Sequence, residues 1–363
     1  MTVFQQVKKI YLDRKAENSG QVNNLLKKLP NLPVEVVEEV KDIQQEIRLA
    51  SDPVGESKQL IFLTEQKSFI RPCPCTSGCF GCGYWTLDLD LNCPFDCSYC
   101  ILQKYLEGQP ITLATNREHL RKELEQFFAR ERTEVIRIGT GELADSLALE
   151  ELTGNAIFLA DIFRNRPGYL LELKSKAASI QTLMSITPVP NLILSWSLNP
   201  ESVIRSEEKG TASLEERFQS AVAAAKHGYR LGFHFDPIIH YPGWEEDYQS
   251  VVLRLFKLIP EEAISWISLG TLRFPPDLPL VARRRFPKSS IYEHEFVRSW
   301  DGKFRYPRPL RLRMYESIVE MISQFGSDKK IYLCMESPEV WEVITRKIKK
   351  GRHLNTFPFP WEN

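Results

Sequence analysis

From Tyr84 to Leu272, apolar runs of strand length alternate with stretches whose apolar residues recur every three to four positions. The strand-length runs are Glu134–Ile138, Tyr169–Leu173, Asn191–Leu198, Arg230–Ile239 and Ile264–Leu272. Helical spacing covers Asn116–Arg130, Leu147–Asn165, Ser179–Ile186, Ser213–His227 and Glu245–Leu258. With the alternating run that begins at Tyr84, the pattern predicts six strand–helix units, the signature of parallel strands joined by helical crossovers. Either side of this body the pattern changes. Residues 1–70 are polar and Lys/Glu-rich and read as a helical accessory region, with a break at Pro30–Pro33, a helix over 34–50 and one short strand at Gln59–Thr64. A Cys-rich loop occupies 71–83. The tail, 280–363, carries basic runs, a helix, a strand at Lys330–Met335 and a helix at Val340–Lys350, and is expected to form an α+β cap.

Composition narrows the class. Hydrophobic content of 43% and charged content of 26% are those of an ordinary globular chain. No run of about 18 apolar residues exists, so no membrane span is expected. The N-terminus lacks the apolar core of a signal peptide, which makes the cytoplasm the expected compartment. The formal net charge is zero, but residues 282–352 hold 17 Lys/Arg against 9 Asp/Glu, a local +8. Such a face suits an anionic partner, and Arg283, Arg284, Arg285, Arg311 and Arg313 are its candidate phosphate contacts; a merely solvated face is the alternative.

Seven of the eight cysteines lie within 73–100, which points to metal rather than to disulfides. Cys93, Cys97 and Cys100 are spaced C-x3-C-x2-C, so three thiolates can converge from one loop. Three sulfurs on a [4Fe–4S] cubane leave one iron without a protein ligand. That iron can chelate S-adenosylmethionine (SAM), and an electron from the cluster can cleave its sulfonium to a carbon radical. Zinc would want a fourth nearby ligand, and none follows Cys100 before His119. Cys73, Cys75, Cys79 and Cys82 are candidates for a second metal, zinc or an auxiliary cluster, against a Cys-rich turn with free or redox-active thiols. The strand and cysteine loop, with Tyr99 just before the last cysteine, resemble those of radical SAM enzymes. This implies a partial (β/α)6 TIM-type barrel whose chemistry gathers at the C-terminal strand ends.

Those ends supply the other candidates. Gly139-Thr140-Gly141-Glu142 follows the second strand: two glycines admit close approach of a ligand, and the carboxylate can pair with an ammonium. It is similar to the G-G-E-like motif that holds the SAM amino group in radical SAM proteins. Lys174 ends the third strand and suits a carboxylate or phosphate. Ser195, Ser197 and Asn199 share one face of the fourth strand, a polar face for a barrel interior. His234 and Asp236 share a face of the fifth, as ligand contacts or as a core pair.

The chain resembles the spore photoproduct lyase-like family. The shared blocks are Cys100-Ile101-Leu102-Gln103, the stretch HGYRLGFHFDPIIHYPGWEEDY (227–248), and Ser197 with Asn199. The resemblance covers roughly 80–335. It implies a SAM-derived radical that opens a UV-induced thymine dimer in DNA, a cysteine that returns a hydrogen atom, a tyrosine at Tyr99 that assists, and a flavodoxin- or ferredoxin-type electron donor. One departure is clear. The family's Cys-Thr-Ser-Asp stretch falls on Glu142-Leu143-Ala144-Asp145, so the donor position holds Glu142. Cys334 is the substitute donor if the tail folds over the barrel mouth. Two other readings keep their place: radical chemistry on RNA, a peptide or a metabolite, and a non-enzymatic zinc-containing nucleic-acid-binding module.

Overall fold

In a computed structural model, residues 6–74, 78–79, 83–130, 134–326 and 330–348 are described. The main sheet is built from β4 (Ile70–Pro72), β5 (Trp85–Leu87), β9 (Ile136–Gly139), β10 (Tyr169–Ser175), β11 (Leu192–Ser197), β13 (Arg230–Ile238), β14 (Ile264–Thr271) and β18 (Ile331–Leu333). Their order is β18-β14-β13-β11-β10-β9-β5-β4, and every pairing but β4–β5 is parallel. The register sets Leu171 opposite both Ile138 and Leu192, and Ile267 opposite Ile331. These strands are buried on both faces, which is why they read as near-continuous apolar runs. The sheet curls: the Arg137 side chain on β9 reaches Tyr332 Oη on β18 at 3.1 Å, although four strands separate them.

Three of the predicted crossover helices are present as single helices, whereas Leu147–Asn165 is broken at Gly154 (φ 63°) into Glu150–Thr153 and Asn155–Phe163, and Ser179–Ile186 shortens to Gln181–Met184. Leu214–His227 shows why its ends were legible. Ser213 and Glu216 exchange capping bonds with each other's backbone N–H, and Gly228 closes the helix at φ 105°.

Two expectations need correction. Residues 6–64 are not a helical extension. They fold as strand–helix units whose strands β1 (Lys9–Asp13), β2 (Val34–Val37) and β3 (Leu60–Thr64) pair in parallel. Val34-Glu35-Val36 is a period-2, β-branched stretch, and it pairs beside β1 rather than opening the helix over 34–50, which begins at Val40. The sheet is completed from the body by β8 (Ile111–Ala114) and β6 (Asp90–Leu91), in the order β2-β1-β3-β8-β6. The second correction concerns the cap. Its strand at 331–333 is the seventh parallel strand of the barrel. The cap's own sheet is the small β15 (Arg273–Phe274), β17 (Phe304–Arg305), β16 (Val297–Arg298) meander.

Candidate cluster and cofactor site

The loop after β6 carries the three cysteines. It opens at Asn92, whose backbone sits in the left-handed region (φ 69°) and whose Oδ1 accepts the Cys93 N–H at 2.8 Å. Asp96–Cys97 form a short strand, β7, antiparallel to β12 (Glu208–Lys209), with Cys97 opposite Glu208. Cys97 is buried, and Cys93 and Cys100 are half-buried. Burial pushes the Cys93 thiol up to about 12 and Cys97 well above its ordinary range, and neighbouring thiols of the loop add to both. Thiols so placed stay protonated unless a metal takes the proton's place, and three soft donors from one loop fit iron–sulfur ligation. Among the described residues no group of three or more His, Cys, Asp or Glu is arranged for a single metal ion.

Glu208 organises the floor beside this loop. Its carboxylate accepts from Arg217 Nη2 at 2.5 Å, from Asn199 Nδ2 at 2.8 Å and from the Tyr99 hydroxyl. Burial would raise its pKa, but the Arg217 and Lys176 charges and these bonds hold it below the usual carboxylate range. The opposite end of the Asn199 amide accepts from Tyr248 Oη at 2.6 Å. Both ends of that amide therefore serve the protein's interior. Lys176 lies with its Nζ 3.4 Å from Ser197 Oγ and 5.8 Å from the Tyr99 ring centroid.

One layer deeper, Glu172 fills the barrel interior. Its Oε1 takes Ser195 Oγ at 2.6 Å, His234 Nε2 at 2.8 Å and Trp266 Nε1 at 2.8 Å, while Oε2 takes Tyr84 Oη at 2.7 Å. Arg137 lies 3.7 Å away, stacked against the Trp266, Tyr332 and Tyr84 rings. Ser195 and His234 are thus parts of a buried polar plug, and their face is polar for that reason.

The strand ends divide. A Cβ on Gly139 would fall 1.6 Å from Tyr84 Oη, and one on Gly141 would fall 3.1 Å from Lys174 Cβ. The space those glycines leave is filled by the protein, not by a ligand, which corrects the expectation for both. Glu142 is exposed in the turn after β9. Asp145 instead ties that turn down: it accepts from the Leu147 and Ala148 amides (3.0 and 2.9 Å), from Ser175 Oγ (2.6 Å) and from the Lys176 amide (2.7 Å). Lys174 is half-buried on the mouth side of Glu172. Asp236 is paired bidentately with Arg273 at 2.9 and 3.1 Å, and Arg273 Nη2 also lies 3.7 Å from Cys334 Sγ. Cys334 therefore stands just past the end of β18, at the barrel mouth. Cys79 lies in the field of Arg273 and of Arg305, beside the small cap sheet. Cys75 and Cys82 lie outside the described residues.

The arginines also divide. Arg283 and Arg284 are exposed. Arg313 is 65% exposed and faces Glu245 at 3.1 Å. Arg311 is buried against Glu336 at 3.1 Å and the Tyr306 carbonyl at 2.7 Å. Arg285 holds Asp96 through both Nη atoms (2.7 and 2.8 Å), Gln103 at 2.9 Å and Asp52 at 2.8 Å. Neither Arg285 nor Arg311 can meet a phosphate without breaking these bonds. Counting charge along the chain cannot separate such internal guanidinia from a surface patch. The sequence also passed over Glu172, Glu208, Arg217 and Arg273. A carboxylate inside an apolar strand, as in YLLELKS, was the available signal for Glu172.

Seven curled parallel strands with a three-cysteine loop after the first of them are the architecture of a radical SAM enzyme. The match to known proteins is specific. The spore photoproduct lyase family profile covers residues 53–350, and the chain belongs to that family. It is 24% identical to spore photoproduct lyase of Bacillus subtilis over 343 residues, 89% of this chain and 96% of the relative. It is likewise 24% identical to that of a Geobacillus species over 340 residues, 88% and 95% of the two chains. A solved spore photoproduct lyase complexed with dinucleoside spore photoproduct superposes with a TM-score of 0.78 at 18% identity, covering 90% of this chain and 98% of the other. A variant of that enzyme with bound AdoMet and the same lesion gives 0.76 at 18%, covering 91% and 98%. No described helix is long and apolar enough to cross a membrane.

Proposed function

We propose that this protein is a DNA-repair lyase acting on a pyrimidine photolesion, with Cys93, Cys97 and Cys100 holding a [4Fe–4S] cluster. The observation that carries the reading is the three-thiol loop at the mouth of a barrel that matches spore photoproduct lyase over nearly its whole length. Bound there, the cluster and SAM supply a 5′-deoxyadenosyl radical. The chain's residues position the reactants. Lys174, Ser197 and Asp236 at the C-terminal strand ends are the SAM-facing set, with exposed Glu142 in the turn after β9 as the partner for the SAM ammonium; Gly139, Gly141 and Asn199 shape that set from within. Tyr99, held by Glu208, turns its ring from the cluster loop toward Lys176, whose Nζ lies 5.8 Å from the ring centroid. The cytoplasm, with its flavodoxin- or ferredoxin-type donors, is the setting that such a low-potential cluster needs.

The test is anaerobic reconstitution with iron and sulfide, then reduction with SAM and UV-irradiated DNA. 5′-Deoxyadenosine together with repaired thymine supports the reading. 5′-Deoxyadenosine that DNA neither stimulates nor couples to repair would select another substrate.

Glu142 cannot give a hydrogen atom, so Cys334, 3.7 Å from Arg273 Nη2 just past the end of β18, is taken as the thiol that returns one to the product. Cys334→Ala is expected to keep 5′-deoxyadenosine formation while losing most of the thymine product. The ratio of the two, by chromatography, is the readout, and an unchanged ratio removes Cys334 from the reaction.

Of the five candidate arginines, Arg283 and Arg284 are the exposed ones without a carboxylate partner among the described residues, Arg283 giving one hydrogen bond to the Tyr292 carbonyl at 3.3 Å. Replacing both by Ala should flatten the log–log salt dependence of DNA binding by about 1.8, at about 0.9 per phosphate contact. Fluorescence anisotropy across a salt series would show an unchanged slope if they touch no phosphate.

A further inference from the structure

The first part of the cluster loop, Cys93–Phe95, is held by chain outside the barrel. Gln6 Nε2 donates to the Pro94 carbonyl at 3.0 Å. Lys58 Nζ donates to the Cys93 carbonyl at 2.8 Å and to the Phe95 carbonyl, and it lies 3.8 Å from Asp96 Oδ1. Three successive carbonyls are thus turned toward residues of the N-terminal unit. Beside them, Ser57 Oγ takes an N–H of Asn92 at 3.1 Å, which steadies the turn that opens the loop.

Gln6 shows that a neutral amide suffices to hold a carbonyl here. A lysine whose side chain is only 7% exposed is a costly way to do the same work, because a buried charge loses its hydration. Asp96, its nearest carboxylate, is already taken bidentately by Arg285. The Lys58 ammonium sits against the backbone of a cluster ligand itself, 2.8 Å from the Cys93 carbonyl oxygen, so its charge is fixed beside the thiol loop.

We infer that Lys58 is a positioning residue for the cluster: its buried ammonium fixes the Cys93–Phe95 backbone and favours the reduced, more anionic state of the cluster. The inference rests on the reading that Cys93, Cys97 and Cys100 hold that cluster. A cubane bound by three thiolates becomes more negative when it takes an electron. A fixed positive charge beside one ligand therefore raises its reduction potential, since net charge and hydrogen bonding set that potential. The N-terminal α/β unit, on this account, is part of the electron-transfer site.

The test is an EPR-monitored redox titration of the reconstituted protein, with iron content measured in parallel. Wild type must load iron; if it does not, the cluster reading itself fails and Lys58 is not at issue. Lys58→Gln keeps a donor and removes the charge, Lys58→Arg keeps the charge, and Gln6→Leu removes a neutral tether. Loaded Lys58→Gln is expected to show about a tenfold weaker reduction equilibrium, about 59 mV more negative for one electron. Lys58→Arg and Gln6→Leu should stay near wild type. Loading by Lys58→Arg but not by Lys58→Gln also supports the role of the charge. A loaded Lys58→Gln with the wild-type potential, or failure of both Lys58 variants to load, overturns it and leaves a mechanical tether.

Discussion

Replacing Cys97 by alanine is expected to reduce 5′-deoxyadenosine formation to background while leaving the fold in place. Cys97 is the most buried of the three thiols, and a cubane with two protein ligands has neither the anchorage nor the single open iron that SAM needs. The loop itself does not depend on the thiol. Its shape comes from carbonyls held by Gln6, Lys58 and Gln103, from Asp96 clamped by Arg285, and from the β7–β12 pairing. Loss of one sulfur atom should therefore cost only about 1 kcal/mol of stability. Iron content, visible absorbance and product formation, measured beside Cys73→Ala, make the comparison. A Cys97→Ala protein that holds full iron and cleaves SAM would remove this thiol from the ligand set.

The barrel was legible because buried parallel strands carry an unmistakable pattern. YLLELKS and LILSWS are too apolar to be anything but interior, and the spacing between them fits crossover helices. What local pattern could not show was partnership. Val34–Val37 is too short and too exposed to announce a strand until β1 lies beside it. β18 reads the same whether it belongs to a cap or to the barrel, since only its pairing with β14 decides.

The site divides in the same way. The three cysteines announced themselves through spacing within eight residues. Glu172 and Glu208 did not, because each is made significant by groups between 9 and 109 positions away: Tyr84 and Trp266 for the first, Tyr99 and Asn199 for the second. Arg285 and Arg311 misled for the converse reason. They stand in basic runs, yet their partners Asp96 and Glu336 turn them inward. Glycines at Gly139 and Gly141 likewise signalled a close approach, but the approaching groups are Tyr84 and Lys174.

Glu172→Ala is expected to destabilise the protein by about 3–5 kcal/mol, the range for removing one partner of a buried charged network. The substitution strands Arg137 without its carboxylate and leaves Ser195, His234, Trp266 and Tyr84 without a common acceptor. The same network sets the acid limb of stability. Burial would raise the Glu172 pKa, but His234, Arg137 and the hydrogen bonds hold it well below 4.5, so its contribution is full above that pH and is lost as pH falls below it. Burial lowers the His234 pKa below 6.5, so the unfolded chain takes up that proton first and stability also falls as pH drops through 6.5. Both effects have one sign. Wild-type stability should decline from about pH 6.5 downward and more steeply below 4.5, and Glu172→Ala should lack the steeper part. Urea unfolding across pH reads both. A loss under about 1 kcal/mol at pH 7, or an unchanged acid limb, would mean that the plug is held by the packing of Trp266, Tyr332 and Tyr84 around Arg137 rather than by the carboxylate.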